Sequence, residues 1–325
     1  LLGASAGGGY IYRKSIAPNL QEEQSLNPYT FTPYTLVTKE AVSSTSSIFI
    51  LRPKQCKGST SQLVEEARKR GVWSIQAKQP QLQIGRSYTP LPDTDGPVKN
   101  DDMRILIRRE QGGEVSNYLH NLPDYSSIDL RGPHLEVEIP QNVKQVLFLA
   151  GGTGIAPAMQ VAEILAGRAG SKMHILWANR RREECVGGQN KANSRSNTQV
   201  LRSWIALFGF GATAQENSTS KSDSSPSLVV QGLQKLQNTS NGKINITYYV
   251  DEERRLIQSG DIEAHLKSLA QKADTANKLI LISGPDGFVE HFAGKKTWQE
   301  GKEVQGPLGG VLAQINLSGW KVIKL

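Results

Sequence analysis

The chain has 325 residues, enough for two hydrophobic cores, because a single core stops growing near ~250–300 residues. An apolar content of 38% and a mean hydropathy of −0.40 fit a water-soluble body, and no window approaches the ~20 apolar residues of a membrane span. The net charge of +8 favours acidic partners or an anionic surface, but 6% aromatics and the lack of a nucleic-acid motif argue against nucleic-acid binding. Two cysteines, Cys56 and Cys185, and five isolated histidines offer neither a disulfide framework nor ligand spacing for a metal, so no metal site is expected.

Residues 1–27 read as a tail. Leu1 to Tyr12 is apolar and small, with Gly3, Gly7, Gly8 and Gly9, and Arg13-Lys14 follows at once. A flexible end, the distal part of a membrane helix with its basic flank, and a processed presequence all match that text. From Tyr29 to Pro53 apolar and polar residues alternate as in strands broken by prolines and serines. Ser59 to Arg70 predicts a helix with Leu63, Val64 and Ala67 on one face. Val72–Ala77, the segment around Arg86, and Met103–Arg108 predict further strands. Short β-segments at this spacing predict a closed antiparallel barrel over 28–140.

After Pro140 the text changes. Val146–Ala150 is a continuous apolar run, Ala158–Ala166 reads as a helix and Met173–Ala178 as a strand, which makes a βαβ unit. Ile244–Val250, the helical Ile262–Ala270 and Lys278–Ile282 continue it. Residues 141–325 therefore predict a parallel α/β domain with its ligand site at the carboxyl ends of the strands. Val200–Phe210 predicts the helix after the second strand. The Ser/Asn-rich text around 211–242 reads as a disordered insertion.

Four short segments carry chemistry. Arg86-Ser87-Tyr88-Thr89-Pro90 sets a cation, a ring and a hydroxyl on one strand, groups that suit a diphosphate and a flat, hydrogen-bonding ring system. Gly112-Gly113-Glu114-Val115-Ser116 leads into a helical turn. Gly151-Gly152-Thr153-Gly154-Ile155-Ala156-Pro157 follows the apolar run, so that backbone N–H groups at a helix start can approach an anion. Pro157 in the first helical turn lacks only an N–H that would be unpaired anyway. Ser283-Gly284-Pro285-Asp286 ends the later strand. Alone, each segment is equally a surface hairpin, a Ser-capped turn or a tight connection.

In this order the four segments resemble the ferredoxin–NADP reductase superfamily, most closely its cytochrome b5 reductase-like branch. The pattern there is Arg-x-Tyr-Thr/Ser-Pro-x-Ser, Gly-Gly-x-x-Ser, Gly-Gly-Thr-Gly-Ile-x-Pro and Cys-Gly-Pro, and the likeness runs from Pro28 to the C-terminus. It implies two domains, an antiparallel β-barrel that binds FAD followed by a Rossmann-like α/β domain that binds NADH or NADPH. Arg86 would then pair with the FAD diphosphate, Tyr88 pack along the flavin and Thr89 hydrogen-bond it. Gly113, Val115 and Ser116 would hold the diphosphate, and Gly151, Gly152 and Gly154 that of the pyridine nucleotide. Thr153 would lie near the flavin–nicotinamide junction, and the Ser283-Gly284-Pro285 turn would approach the nicotinamide from the other side.

Four features depart from that pattern. Pro92 stands where the first motif ends in serine, Glu114 where lysine is common and Ser283 where cysteine is usual, and no terminal aromatic follows Lys321-Val322-Ile323-Lys324-Leu325. Arg180-Arg181-Arg182 favours a 2′-phosphate, hence NADPH, while Glu183-Glu184 opposes it. The resemblance implies a haem protein as electron acceptor. The N-terminal stub and the polar insertion resemble a fungal mitochondrial branch that assists cytochrome c maturation. That implies the haem lyase and apocytochrome c as partners, an N-terminal membrane anchor, and a place on the inner membrane facing the intermembrane space. An assembly factor with structural FAD and a general cytochrome b5 reductase-like enzyme are the alternatives.

Overall fold

The computed structural model describes residues 25–54, 62–93, 102–190, 225–269 and 277–325. The first half is a six-stranded antiparallel sheet of β1 (Thr32–Ala41), β2 (Ser46–Pro53), β3 (Gly71–Gln79), β4 (Ile84–Tyr88), β5 (Met103–Arg108) and β6 (Ser127–Glu138). The order is β4-β3-β6-β1-β2-β5, so β4 and β5 form the two edges. Beyond β4 the chain turns onto β5: Pro90 bridges Ile105, and the Leu91 N–H donates to the Arg104 carbonyl at 2.8 Å. This closes the sheet into the barrel that the sequence predicts. Leu36, Phe49, Leu51, Ile75, Ile105 and Leu130 fill it, one face of each strand turning inward at period two. Helix α1 (Gln62–Arg70) buries Val64 and Ala67, and α2 (Glu114–Asn121) buries Val115 and Leu119.

The long strand β6 escaped the sequence reading. Pro133 interrupts its text, and β3 and β6 shift register twice along their pairing, so the apolar alternation of Ile128 and Leu130 does not continue. The tail assignment also ran slightly too far. Leu26 is buried, and the Asn27 carbonyl accepts the Gly132 N–H at 2.9 Å, which fastens residues 25–27 to the barrel. Residues 1–24 lie outside the described residues.

The second half is a five-stranded parallel sheet, order β13-β10-β7-β8-β9. Its strands are β7 (Val143–Gly151), β8 (Lys172–Asn179), β9 (Ile244–Val250), β10 (Asn277–Ser283) and β13 (Trp320–Lys324). A small hairpin of β11 (Thr297–Gln299) and β12 (Lys302–Val304) stands apart. Helices α3 (Ile155–Ala166) and α4 (Leu228–Thr239) cover one face, and α5 (Ser259–Leu269) and α6 (Asp286–Ala293) the other. With helices on both sides, β7 is apolar from Val146 to Ala150, as a central parallel strand must be, and buries one polar side chain, Gln145, near its start. Among the described residues no helix is long and apolar enough to cross a membrane.

Helix α4 corrects the expected insertion. It lies within 211–242, yet Val229, Val230, Leu233 and Leu236 are buried against α3 and the sheet, and Ser227 caps it by accepting the Val230 N–H at 3.4 Å. The three-to-four-residue spacing of those side chains is the amphipathic signal, hidden by the Ser/Asn/Gln density around it. The helix expected at Val200–Phe210 and the tract to residue 224 lie outside the described residues. One apolar cluster runs across both halves, joining Ile48, Val72, Leu91 and Leu106 of the barrel to Ile155 and Met159 of α3.

Candidate cofactor site between barrel and parallel sheet

Strand β4 is a sheet edge, which leaves Arg86 exposed. Its guanidinium touches only the Gly85 carbonyl at 3.3 Å and has no carboxylate partner among the described residues. Tyr88, two residues on and thus on the same face, is half-buried. Burial pushes its hydroxyl up to about 12; Glu110 adds to that and the Arg86 charge opposes it. The phenol therefore stays protonated beside an unneutralised cation. Thr89 follows, half-buried, at the point where the chain leaves β4 for β5.

The Gly112–Ser116 turn is wired by its own side chains. Ser116 Oγ accepts the Glu110 N–H at 3.1 Å and donates to the Gly113 carbonyl at 3.3 Å, and Asn117 Nδ2 donates to the Glu110 and Gly113 carbonyls. A Cβ on Gly113 would sit 2.7 Å from Ser116 Oγ, so only glycine lets the hydroxyl fold over the turn. Val115 is buried and anchors the helix, while Glu114 is exposed in its first turn, where a carboxylate suits the helix dipole. An anion bound at this N-terminus must share the site with that carboxylate.

On the parallel sheet, β7 and β10 are neighbours with Ala150 opposite Ser283, so their two glycine turns meet at the carboxyl edge. A Cβ on Gly154 would stand 2.2 Å from the Ser283 carbonyl oxygen. On Gly151 it would stand 2.8 Å from the Phe288 ring, which also packs on Gly284. Gly152 has φ +52, a left-handed conformation, and its carbonyl accepts the Trp177 indole N–H at 2.9 Å. Thr153 is half-buried between these glycines and Ser283 is buried, which puts both at one edge with Gly284 and the exposed Pro285. Trp320 is elsewhere. It pairs with Lys278 at the amino end of β10 and its ring lies 5.8 Å from the Lys278 ammonium, so it does not replace a terminal aromatic at the site.

Polar side chains that the sequence reading passed over join the two halves. Gln160 of α3, 4% exposed, accepts the Trp73 N–H at 3.0 Å and donates to the Pro90 carbonyl at 2.8 Å. It thereby ties the residue after Thr89 to the helix that follows the Gly151–Gly154 turn. Arg108, at the end of β5, pairs with Glu184 at 3.2 Å and lies beside Gly152. Glu184 also accepts the Arg180 N–H at 2.9 Å. Of the three consecutive arginines, Arg182 is held bidentately by Glu253 and Arg181 lies 3.5 Å from Glu183. Arg180 alone makes no ion pair among the described residues and is exposed. The signal for Arg108 is its place at a strand end; Gln160 has none in local sequence.

A cleft of about 350 Å³ opens beside Gly284 but mixes Asp286, Glu290 and Glu303 with Lys295 and Lys296. Three carboxylates make it a poor seat for a diphosphate. The Gly151–Gly154 and Ser283–Pro285 turns meet instead at the carboxyl edge of β7 and β10, and Gln160 ties Pro90, the end of the Arg86 segment, to the helix that follows the first of them. Arg86, without a carboxylate partner among the described residues, and the glycine turns that a Cβ would fill suit ligands that carry a diphosphate.

A family model described as an oxidoreductase FAD-binding domain matches residues 33–139, the barrel. Among curated proteins, an uncharacterised FAD-binding protein of Schizosaccharomyces pombe is 29% identical over 54% of this chain and 59% of its own length. The cytochrome c mitochondrial import factor CYC2 of Saccharomyces cerevisiae is 28% identical over 37% of this chain and 36% of its own. NADH-cytochrome b5 reductase 2 of Mycosarcoma maydis is 25% identical over 98% of this chain and 83% of its own. The chain thus spans less than two thirds of the first two of these relatives. Among solved structures, the cytochrome b5 reductase domain of Ulva prolifera nitrate reductase superposes with a TM-score of 0.52 at 15% identity, covering 82% of this chain and 91% of that one, a likeness of fold.

Proposed function

Since the chain belongs to the ferredoxin reductase-like family of flavoproteins, we propose that it is an FAD-dependent NAD(P)H oxidoreductase of cytochrome b5 reductase type that delivers electrons to a haem protein. The observation that carries this reading is the meeting of the two glycine turns, Gly151–Gly154 and Ser283–Pro285, at the sheet edge that faces the barrel. On this reading residues 28–140 hold FAD and 141–325 the pyridine nucleotide.

FAD supplies the redox chemistry when bound, accepting hydride and releasing electrons singly. Arg86 neutralises its diphosphate, and Gly113, Val115 and Ser116 present the helix start to the same group. Tyr88 and Thr89 would line the ring, with the Tyr88 phenol kept neutral by burial. Gly151, Gly152 and Gly154 admit the second diphosphate, while Thr153 and Ser283 fix the nicotinamide between them. No side chain needs to exchange a proton with the reacting carbon. The protein's part is distance and orientation, which the apolar core shared by both halves keeps rigid.

The likeness to the yeast cytochrome c mitochondrial import factor supports a finer proposal, work in mitochondrial cytochrome c maturation beside the haem lyase and apocytochrome c. The location proposed is the inner membrane, facing the intermembrane space. The test is NADH- or NADPH-dependent reduction of a ferric haem acceptor and of ferricyanide by the FAD-loaded protein. Reduction of both supports the proposal. Reduction of ferricyanide alone removes haem as acceptor, and reduction of neither removes the activity.

A further inference from the structure

The amino edge of the parallel sheet lies opposite the glycine turns and has the reverse charge character. Residues 141–145, 166–172, 239–245, 277–279 and 315–321 lead into or begin its strands, and none of them is Asp or Glu. They carry Lys144, Arg168, Lys172, Lys243, Lys278 and Lys321 instead. Glu263 of α5, the helix that ends at this edge, is paired with Lys267 at 3.7 Å. The loops of the carboxyl edge mix both signs, as Arg182, Glu183, Glu184 and Glu253 show. Two of the six edge cations serve the fold. Arg168 donates to the Ile139 and Pro140 carbonyls, and Lys243 Nζ to those of Ala166 and Arg168, where a helix end favours a cation. Lys144, Lys172, Lys278 and Lys321 sit on strand starts and make no ion pair among the described residues; all but the half-buried Lys278 are exposed.

Lys172, Gln145, Lys278 and Trp320 stand in register on four adjacent strands, so their side chains share one face of the sheet. At ~4.8 Å between strands the row is about 14 Å long. The Lys278 ammonium lies 5.8 Å from the Trp320 ring centroid. Gln145 is 7% exposed, and its Oε1 is buried without a hydrogen-bond partner. A lysine ammonium folded onto that oxygen would satisfy it and keep two N–H donors for an anion. A protein partner would find little to grip, because interface cores are apolar and no large hydrophobic side chain is prominently exposed here among the described residues. Lysines beside a tryptophan are instead what the headgroup layer of an anionic bilayer attracts. We propose that the amino edge is a docking face for an anionic membrane surface, with lipid phosphates seated between Lys172 and Lys278 over Gln145. Docking there needs neither flavin nor nucleotide, and it leaves the glycine turns at the opposite edge facing solvent.

The test is co-sedimentation of the full chain with vesicles of phosphatidylcholine alone and of phosphatidylcholine mixed with phosphatidylglycerol, at low and high salt. Wild type is compared with Lys172→Gln/Lys278→Gln and with Lys295→Gln/Lys302→Gln, which removes the same charge away from the edge. The expected result is binding to the anionic vesicles only, weakened by salt and weakened roughly 20- to 30-fold in the edge variant, at about fivefold per lysine near a charged surface. The other variant, its lysines beyond a Debye length of ~8–10 Å from the edge, should bind about as wild type does. Tm of the edge variant should match wild type, since neither lysine is ion-paired. Equal binding to neutral vesicles would assign attachment to apolar insertion and overturn the charged face. Equal losses in the two double variants would trace binding to net charge alone and overturn it too. Failure on the anionic vesicles would do the same, and polyglutamate binding that the edge variant loses would then give this edge to an acidic protein.

Discussion

Replacing Gln160 tests how the two halves hold the motifs in register. Its amide satisfies the Trp73 N–H and the Pro90 carbonyl, and the side chain is 4% exposed. Gln160→Leu keeps the volume and strands both backbone groups in an apolar setting. At ~1–3 kcal/mol for each unsatisfied buried group, the cost is about 2–6 kcal/mol. With about 2–4 °C per kcal/mol for a unit of 150–250 residues, Tm should fall by roughly 5–20 °C. Gln160→Ala leaves space for water to reach both groups and should cost less, the reverse of the usual order for truncation in a core. Gln160→Glu loses the donor to Pro90 unless protonated. Its folded pKa should therefore rise above the unfolded value, so its deficit should shrink as pH falls. The assay is thermal unfolding followed by circular dichroism and by flavin fluorescence at pH 5.5 and 7.5. A Leu variant as stable as wild type, or an Ala variant less stable than Leu, would refute the bridging role.

Three further perturbations have defined outcomes. Arg86→Ala should weaken FAD binding by about 10- to 100-fold, the worth of one charge-assisted contact at ~1.5–3 kcal/mol, with Arg86→Lys intermediate; retention of full flavin on dilution and refiltration would contradict the assignment. Gly154→Ala places a Cβ 2.2 Å from the Ser283 carbonyl oxygen, so it should lower Tm and slow nucleotide-dependent flavin reduction together, and a neutral effect on both would show that the two turns are not packed as described. His174 and His265 meet Nδ1 to Nδ1 at 2.7 Å, and burial lowers both, His174 to about 4. Folded values below the unfolded 6.5 mean that stability is full above that pH and drains away between about 6.5 and 4. After discounting for solvent exposure the loss is on the order of 1–2 kcal/mol. Tm measured from pH 7 to 4.5 should fall less in His265→Gln than in wild type, and parallel curves would reject the pair as the cause.

The parallel half was legible because β7 and β10 are buried on both faces and so read as unbroken apolar runs ending in glycine turns. The glycines themselves were legible as backbone requirements, since a side chain at Gly154 or Gly151 has nowhere to go. Helix α4 was not, because its four buried side chains are set in polar text that matches an insertion. Nor was β6, whose pairing with β3 runs through register shifts that erase the period-two pattern. Gln160 was invisible for a different reason. A single polar residue in an apolar segment acquires meaning only from its surroundings, and those of Gln160 are contributed by Trp73 and Pro90, far away along the chain.

The central claim is that flavin and nicotinamide are brought together by Thr89, Thr153 and Ser283. Its most direct test is anaerobic rapid mixing of the FAD-loaded protein with NADH and, separately, NADPH, following flavin absorbance. The account predicts saturable bleaching by at least one of the two, slowed in Thr153→Val with flavin content unchanged. A tightly bound flavin that neither nucleotide bleaches would contradict it.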